Sequence, residues 1–257
     1  MITTEAVTAW SITHPWPSRD QVEQDLILSR AICAIASDNY LGDELVFRGG
    51  TALHKLHLAS PLRYSEDLDY VRASAGGIGP LTRALTGLGE SLGFAASTRI
   101  SEHPKVYWRT TATSGNPIRI KIEVNTHERS PARPTIRLAH TVDSSWWSGT
   151  AMVQTFQTAE LVATKIRALY QRKKGRDLFD LWLALTVAHV DPAAIIACFA
   201  PYRPHGYTST LAINNLRTKQ NDPTFRTDLE PLITAWPPEY SIDAAADLIT
   251  ETLLAQL

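Results

Sequence analysis

The 257 residues carry 25 Lys and Arg against 26 Asp and Glu, with 44% hydrophobic and 20% charged residues and no low-complexity tract. These proportions exclude a disordered or fibrous chain, and a formal net charge of −1 excludes recognition of a polyanion by bulk charge alone. No basic segment followed by an apolar run opens the sequence, and nowhere do about 18 apolar residues follow one another, so a soluble, cytoplasmic chain that spans no membrane is expected. Cys33 and Cys198 each sit among Ala and Ile, which suits reduced, packed thiols and implies neither a disulfide framework nor a zinc site.

In chain order, Val22, Leu26, Ile27, Ile32, Cys33 and Ile35 recur at near-helical spacing and predict an amphipathic helix over residues 19–40. Residues 44–48 form a short apolar strand that breaks at Gly49-Gly50, after which Thr51 is expected to cap a helix carrying Leu53, Leu56 and Leu58. A second strand over 68–71, a turn at Gly76-Gly77 and a helix over 80–92 follow. Residues 106–111 and 118–125 alternate with period two, placing Ile118, Ile120, Ile122 and Val124 on one face and Arg119, Lys121, Glu123 and Asn125 on the other. After Trp146-Trp147, a pair that suits a packing hinge, the pattern is read as helical throughout: 160–171, 177–187, 192–199, 208–219, 224–236 and 242–254. The whole is an α+β chain, divided into residues 1–155 and an all-helical 156–257.

The chemistry centres on Asp67 and Asp69. Two positions apart on a strand, their carboxylates share a face and lie close enough to share a divalent cation, the arrangement Mg²⁺-assisted phosphoryl or nucleotidyl transfer requires. An isolated Asp-x-Asp is more often an exposed strand or loop end carrying acids. What distinguishes this one is the Gly49-Gly50-Thr51 turn, 17 residues before Asp67 counted from Gly50, where glycines and a helix start let phosphate oxygens reach backbone amides. His54 and His57 lie three apart but lack a third ligand at zinc spacing, so no metal is assigned to them. Arg48 and Lys55 flank the turn as phosphate contacts or as ordinary surface charge. From Lys165 to Arg176 run six cations, Lys165, Arg167, Arg172, Lys173, Lys174 and Arg176, with no acid among them. That run is either a polyanion-facing surface or a solvated helix end.

Gly49-Gly50-Thr51 followed by Arg63-Tyr64-Ser65-Glu66-Asp67-Leu68-Asp69 resembles the signature of polymerase-β-like nucleotidyltransferases, specifically the AbiEii/MenT-type toxins of toxin–antitoxin systems. Lys121-Ile122-Glu123-Val124-Asn125 resembles their second motif, residues 161–181 their third, and residues 213–219, more loosely, a fourth. The resemblance implies a small mixed sheet with helices followed by a helical C-terminal part, Mg²⁺ as cofactor, an NTP substrate, a tRNA 3′ end as acceptor, and a cognate antitoxin. It makes Asp67 and Asp69 the metal ligands, Lys165 and Asp180 functionally required residues with the lysine on the triphosphate, and Gly49, Gly50, Thr51 and Ser65 the nucleotide cradle. Arg167, Arg172, Lys173, Lys174 and Arg176 then offer RNA contacts.

Glu123 is either a third acid of that site, holding metal or taking the proton of the attacking hydroxyl, or one half of a surface Lys/Glu pair. Ser65 is either a turn hydroxyl or a nucleotide contact open to phosphorylation. Lys165 and Asp180 share a face if one helix runs through Gly175; if the helix breaks there, a helix–turn–helix has to bring them together. A protein or small-molecule acceptor, and a non-catalytic module that binds RNA or antitoxin, are the competing functions.

Overall fold

The computed structural model describes residues 2–257. One compact unit comprises Met1–Arg129 and Thr135–Phe156, and the other Ser130–Pro134 and Gln157–Leu257. The second unit thus begins near the cut read from sequence, but it also takes in Ser130–Pro134. The Glu160 carboxylate anchors that segment by accepting the Ala132 and Arg133 amides at 2.6 and 3.0 Å.

The first unit opens with helices α1 (Thr4–Thr13) and α2 (Arg19–Ser37). Ser18 and Gln21 form a reciprocal capping box that starts α2, and Val22, Leu26, Ile27, Ile32 and Ile35 line its buried side. Seven strands follow: β1 (Leu45–Arg48), β2 (Asp67–Arg72), β3 (Ala95–Arg99), β4 (Lys105–Thr111), β5 (Pro117–Asn125), β6 (Ile136–Val142) and β7 (Gly149–Thr155), with helix α3 (Ile78–Ser91) between β2 and β3. They form one mixed sheet in the order β3-β4-β5-β2-β1-β7-β6. The pairs β1–β7 and β2–β5 are parallel and the others antiparallel. Val106, Trp108, Ile118, Ile120, Ile122 and Val124 are buried on the side where α2 and α3 pack, which leaves the opposite face of β4 and β5 for polar side chains.

The structure corrects four expectations here. Strands do not end at the tryptophan pair, because β7 follows it and pairs with β1. Trp146 and Trp147 lie in the β6–β7 connection beneath the Arg30 guanidinium, 4.9 and 5.9 Å from their ring centroids, and are no hinge. Thr51 caps nothing: the helical segment Gly49–Ala52 starts from Arg48 without a side-chain cap and continues as a π-helix over Leu53–His57. The helix read over 224–236 is only Pro223–Arg226 and a 3₁₀ turn at Glu230–Leu232, because Pro231 lacks the amide a continuous helix needs and clashes with its preceding turn.

The second unit contains α4 (Thr158–Gln171), α5 (Gly175–Thr186), α6 (Pro192–Cys198), α7 (Ser209–Gln220) and α8 (Ile242–Thr252). Leu161, Ile166, Leu178, Phe179, Phe199, Leu216, Phe225 and Ile249 form its core. No helix among the described residues is long and apolar enough to cross a membrane.

Candidate active site

Register places the acids. Asp67 lies opposite Lys121 and Asp69 opposite Glu123 across the parallel β2–β5 pair, so all four side chains leave the sheet on the face away from α2 and α3. Lys121 Nζ stands 2.9 Å from Asp67 Oδ2 and 3.3 Å from Glu123 Oε2, while Lys105 Nζ reaches Glu123 Oε1 at 3.4 Å. Glu123 is therefore part of the acid cluster and also of a Lys/Glu network. Burial first, and then the charge of Asp67, push the Asp69 carboxyl above the usual carboxylate range against the opposing pull of Arg48 and Lys121. Burial works against the Lys121 ammonium, but its hydrogen bond to Asp67 and the surrounding acids outweigh it and hold its pKa above the ordinary lysine value.

The glycine turn abuts these acids. Gly49 adopts φ +84°, and a Cβ there would lie 2.6 Å from Asp69 Oδ2. At Gly50 a Cβ would collide with the Arg63 guanidinium and lie 3.2 Å from Ser65 Oγ. Thr51 Oγ1 donates to the Asp67 carbonyl at 2.5 Å and lies within hydrogen-bonding distance of Ser65 Oγ, 2.9 Å, so the turn and the start of β2 are tied together by hydroxyls. Arg48 pairs with Glu128 at 2.5 Å. Lys55 is not available to a phosphate: it is buried against Asp25 at 2.6 Å, where Trp10 Nε1 also donates. His54 is buried and accepts from the Leu62 amide, and His57 lies against Thr155.

Among the described residues no group of three or more His, Cys, Asp or Glu side chains is arranged as a metal cage. The Asp67–Asp69 pair nonetheless fits a Mg²⁺ site that substrate completes, because Mg²⁺ is commonly held by one or two carboxylates together with phosphate oxygens. Burial and, after it, repulsion from Asp67 raise the Asp69 pKa, and a divalent cation relieves such a penalty on the charged form.

In the second unit the chain leaves helical geometry at Arg172 and re-enters it at Gly175, so Lys165 and Asp180 meet through a helix–turn–helix. Lys165 Nζ lies 2.6 Å from Asp180 Oδ2 and 3.5 Å from Asp177 Oδ1, with all three side chains buried. Arg172 grips Asp177 through Nε and Nη2 at 2.6 and 2.7 Å. Lys173 pairs with Asp222 at 2.5 Å, Lys174 with Asp228 at 3.2 Å and Arg176 with Asp228 at 3.7 Å, while Arg167 lies over the Tyr202 ring. The cationic run is thus largely neutralised by acids elsewhere in its unit. Lys219, from the loosest motif, donates to the Leu169 and Tyr170 carbonyls at the end of α4, and burial lowers its pKa to about 8.

Lys121, expected as one half of a Lys/Glu pair two residues from Glu123, also reaches Asp67. Asp177 belongs to the third motif, but nothing in its spacing announces a partner for both Lys165 and Arg172.

Two strand aspartates beside a glycine turn are chemically fit to handle a phosphate chain, and comparison with known proteins gives the class as nucleotidyltransferase. The family model described as nucleotidyl transferase AbiEii toxin, type IV TA system, matches residues 30–247, and the chain belongs to that family. It is accordingly a toxin nucleotidyltransferase of a type IV toxin–antitoxin system, with an NTP substrate and an antitoxin partner. The solved structure of MenT4, a nucleotidyltransferase toxin from Mycobacterium tuberculosis H37Rv, matches 100% of this chain and 91% of its own with TM-score 0.66 at 18% identity, which shows a shared fold. An antigenic nucleotidyltransferase-like protein from Paracoccidioides brasiliensis matches 91% of this chain and 96% of its own at TM-score 0.39 and 18% identity. No curated protein sequence matches significantly.

Proposed function

We propose that the chain transfers a nucleoside monophosphate from an NTP to the 3′ hydroxyl of tRNA, with Mg²⁺, and so blocks aminoacylation and translation. The observation that carries this reading is the convergence of Asp67, Asp69 and Glu123 on one sheet face beside the Gly49-Gly50 turn. Asp67 and Asp69 would hold the ion, which would supply neutralisation of triphosphate charge and polarisation of the α-phosphorus. Lacking Cβ atoms, Gly49 and Gly50 let the Asp69 carboxylate and the Arg63 guanidinium close on the turn beside the phosphate chain, and Ser65 lies at the same turn. Glu123 takes the proton of the attacking hydroxyl as the 3′-oxygen–phosphorus bond forms and the α,β-anhydride bond breaks, releasing pyrophosphate. In the family pattern Lys165 neutralises triphosphate charge; in this chain Asp180 and Asp177 fix its ammonium.

The test incubates the full chain with Mg²⁺, unfractionated tRNA and each α-labelled NTP, beside Asp67→Ala. Label on tRNA from the wild type, lost in the variant, is the expected result. Label on protein, or none from a folded wild type, would sink the tRNA assignment.

A further inference from the structure

The open face of the sheet extends beyond the acids in three cross-strand rows. Ser97, Tyr107, Lys121 and Asp67 make one row; Arg99, Lys105, Glu123 and Asp69 make the next; Ala95, Arg109 and Arg119 make the third. Away from β2 the face carries five cations, Arg99, Lys105, Arg109, Arg119 and Lys121, against the single acid Glu123. Arg99, Arg109 and Arg119 are exposed, and among the described residues no carboxylate pairs with them. Tyr107 stands in the middle, with the Arg109 and Arg119 guanidiniums 5.2 and 5.5 Å from its ring centroid.

We infer that this face of β3, β4 and β5 is the track on which the acceptor RNA lies as its 3′ end reaches Asp67 and Asp69, an inference that rests on the proposed transfer to RNA. Neighbouring strands are about 4.8 Å apart, so Tyr107, two strands from Asp67, stands about 10 Å away, and the Arg109–Arg119 row lies about 7 Å further along the strands. A cationic groove with an aromatic platform is how single strands are bound without reading their sequence: guanidiniums meet phosphates and the ring stacks on a base. The cations at 165–176 differ, since most of them already hold acids. A net charge near zero conceals this asymmetry, because the surplus is confined to one face of one unit.

The test uses the full chain and its Arg109→Gln/Arg119→Gln and Tyr107→Ala variants, with Arg83→Gln on α3, across the sheet, as a control that removes one charge away from this face. NMP transfer to unfractionated tRNA is measured together with NTP affinity and the binding of fluorescein-labelled tRNA across salt concentrations. The double variant is expected to raise the tRNA KM about ten-fold and to flatten the plot of log affinity against log salt by about 1.4, two contacts at roughly 0.7 each. Tyr107→Ala should weaken tRNA binding about ten-fold, and in all variants kcat and NTP affinity should stay within about two-fold. Wild-type KM and salt slope in the folded double variant would overturn the track. Loss of antitoxin binding with tRNA parameters unchanged would also overturn it, giving the face to an acidic protein partner. Absence of transfer by the wild type would remove the functional reading, while tRNA binding weakened by the double variant would still uphold the surface.

Discussion

At Asp69 stability and activity pull in opposite directions. Burial and the Asp67 charge disfavour its ionised form in the folded chain, so Asp69→Asn removes a repulsion and should raise the melting temperature. The same change deletes a proposed metal ligand and should lower label transfer by at least about 10²-fold, the scale of losing one electrostatic contact to a developing charge. An Asp69→Asn protein that is both less stable and fully active would contradict both halves. Lys165 is the converse case. Its ammonium is enclosed by Asp180 and Asp177, so Lys165→Ala breaks a buried ion pair with Asp180, while Asp177 keeps Arg172, and should cost about 3–5 kcal/mol in chemical denaturation. Lost activity in Lys165→Ala therefore speaks for catalysis only where the remaining folded fraction has been measured.

Among the elements, Gly175 shows how close approach can overrule helix propensity. A Cβ there would collide with the Phe225 carbonyl oxygen, a backbone atom that cannot swing aside. Ala improves intrinsic helicity by up to about 1 kcal/mol, whereas overpacking costs about 1–3 kcal/mol, so Gly175→Ala should destabilise on balance. A denaturation midpoint unchanged or raised in that variant would show that Phe225 can move. The same contest decides what could be read from sequence. Helix α2 and strand β5 were legible because each buries one face and their apolar residues keep that element's period. Strand β3, Ala95–Arg99, is a polar edge strand with little apolar alternation to detect. Strand β7 does alternate, with Ala151, Val153 and Thr155 buried, but its small and hydroxylated residues merged with the helical pattern that follows. At the site, the Asp67–Asp69 face could be read from the two-residue spacing. The pairing of the 165–176 run with Asp222 and Asp228 could not, because it joins distant stretches of chain without any local period.

For the whole molecule, acid should weaken the fold before the usual carboxylate range is reached. Burial lowers the pKa of His14, His57 and His140 to about 4 each; the Lys55 ammonium adds to the effect on His14 and His140, while Asp25 opposes it. In the unfolded chain these imidazoles return to about 6.5. Between pH 6.5 and 4 the unfolded state therefore binds more protons than the folded one, and by linkage unfolding free energy must rise with pH across that window. The stability these groups contribute is complete above about 6.5 and falls away as pH drops towards 4. One pKa unit corresponds to about 1.4 kcal/mol, so the three together amount to several kcal/mol at pH 4, large beside the roughly 5–15 kcal/mol that holds a domain together. His140 is the group to change, since it is buried with no partner for Nε2 among the described residues and lies outside the proposed active site. Urea denaturation of wild type and His140→Gln from pH 7.5 to 4.5 should show the variant losing less stability over the interval, whatever its stability at pH 7.5. Parallel curves would mean that His140 titrates alike in both states, and its burial would then not set the acid limit.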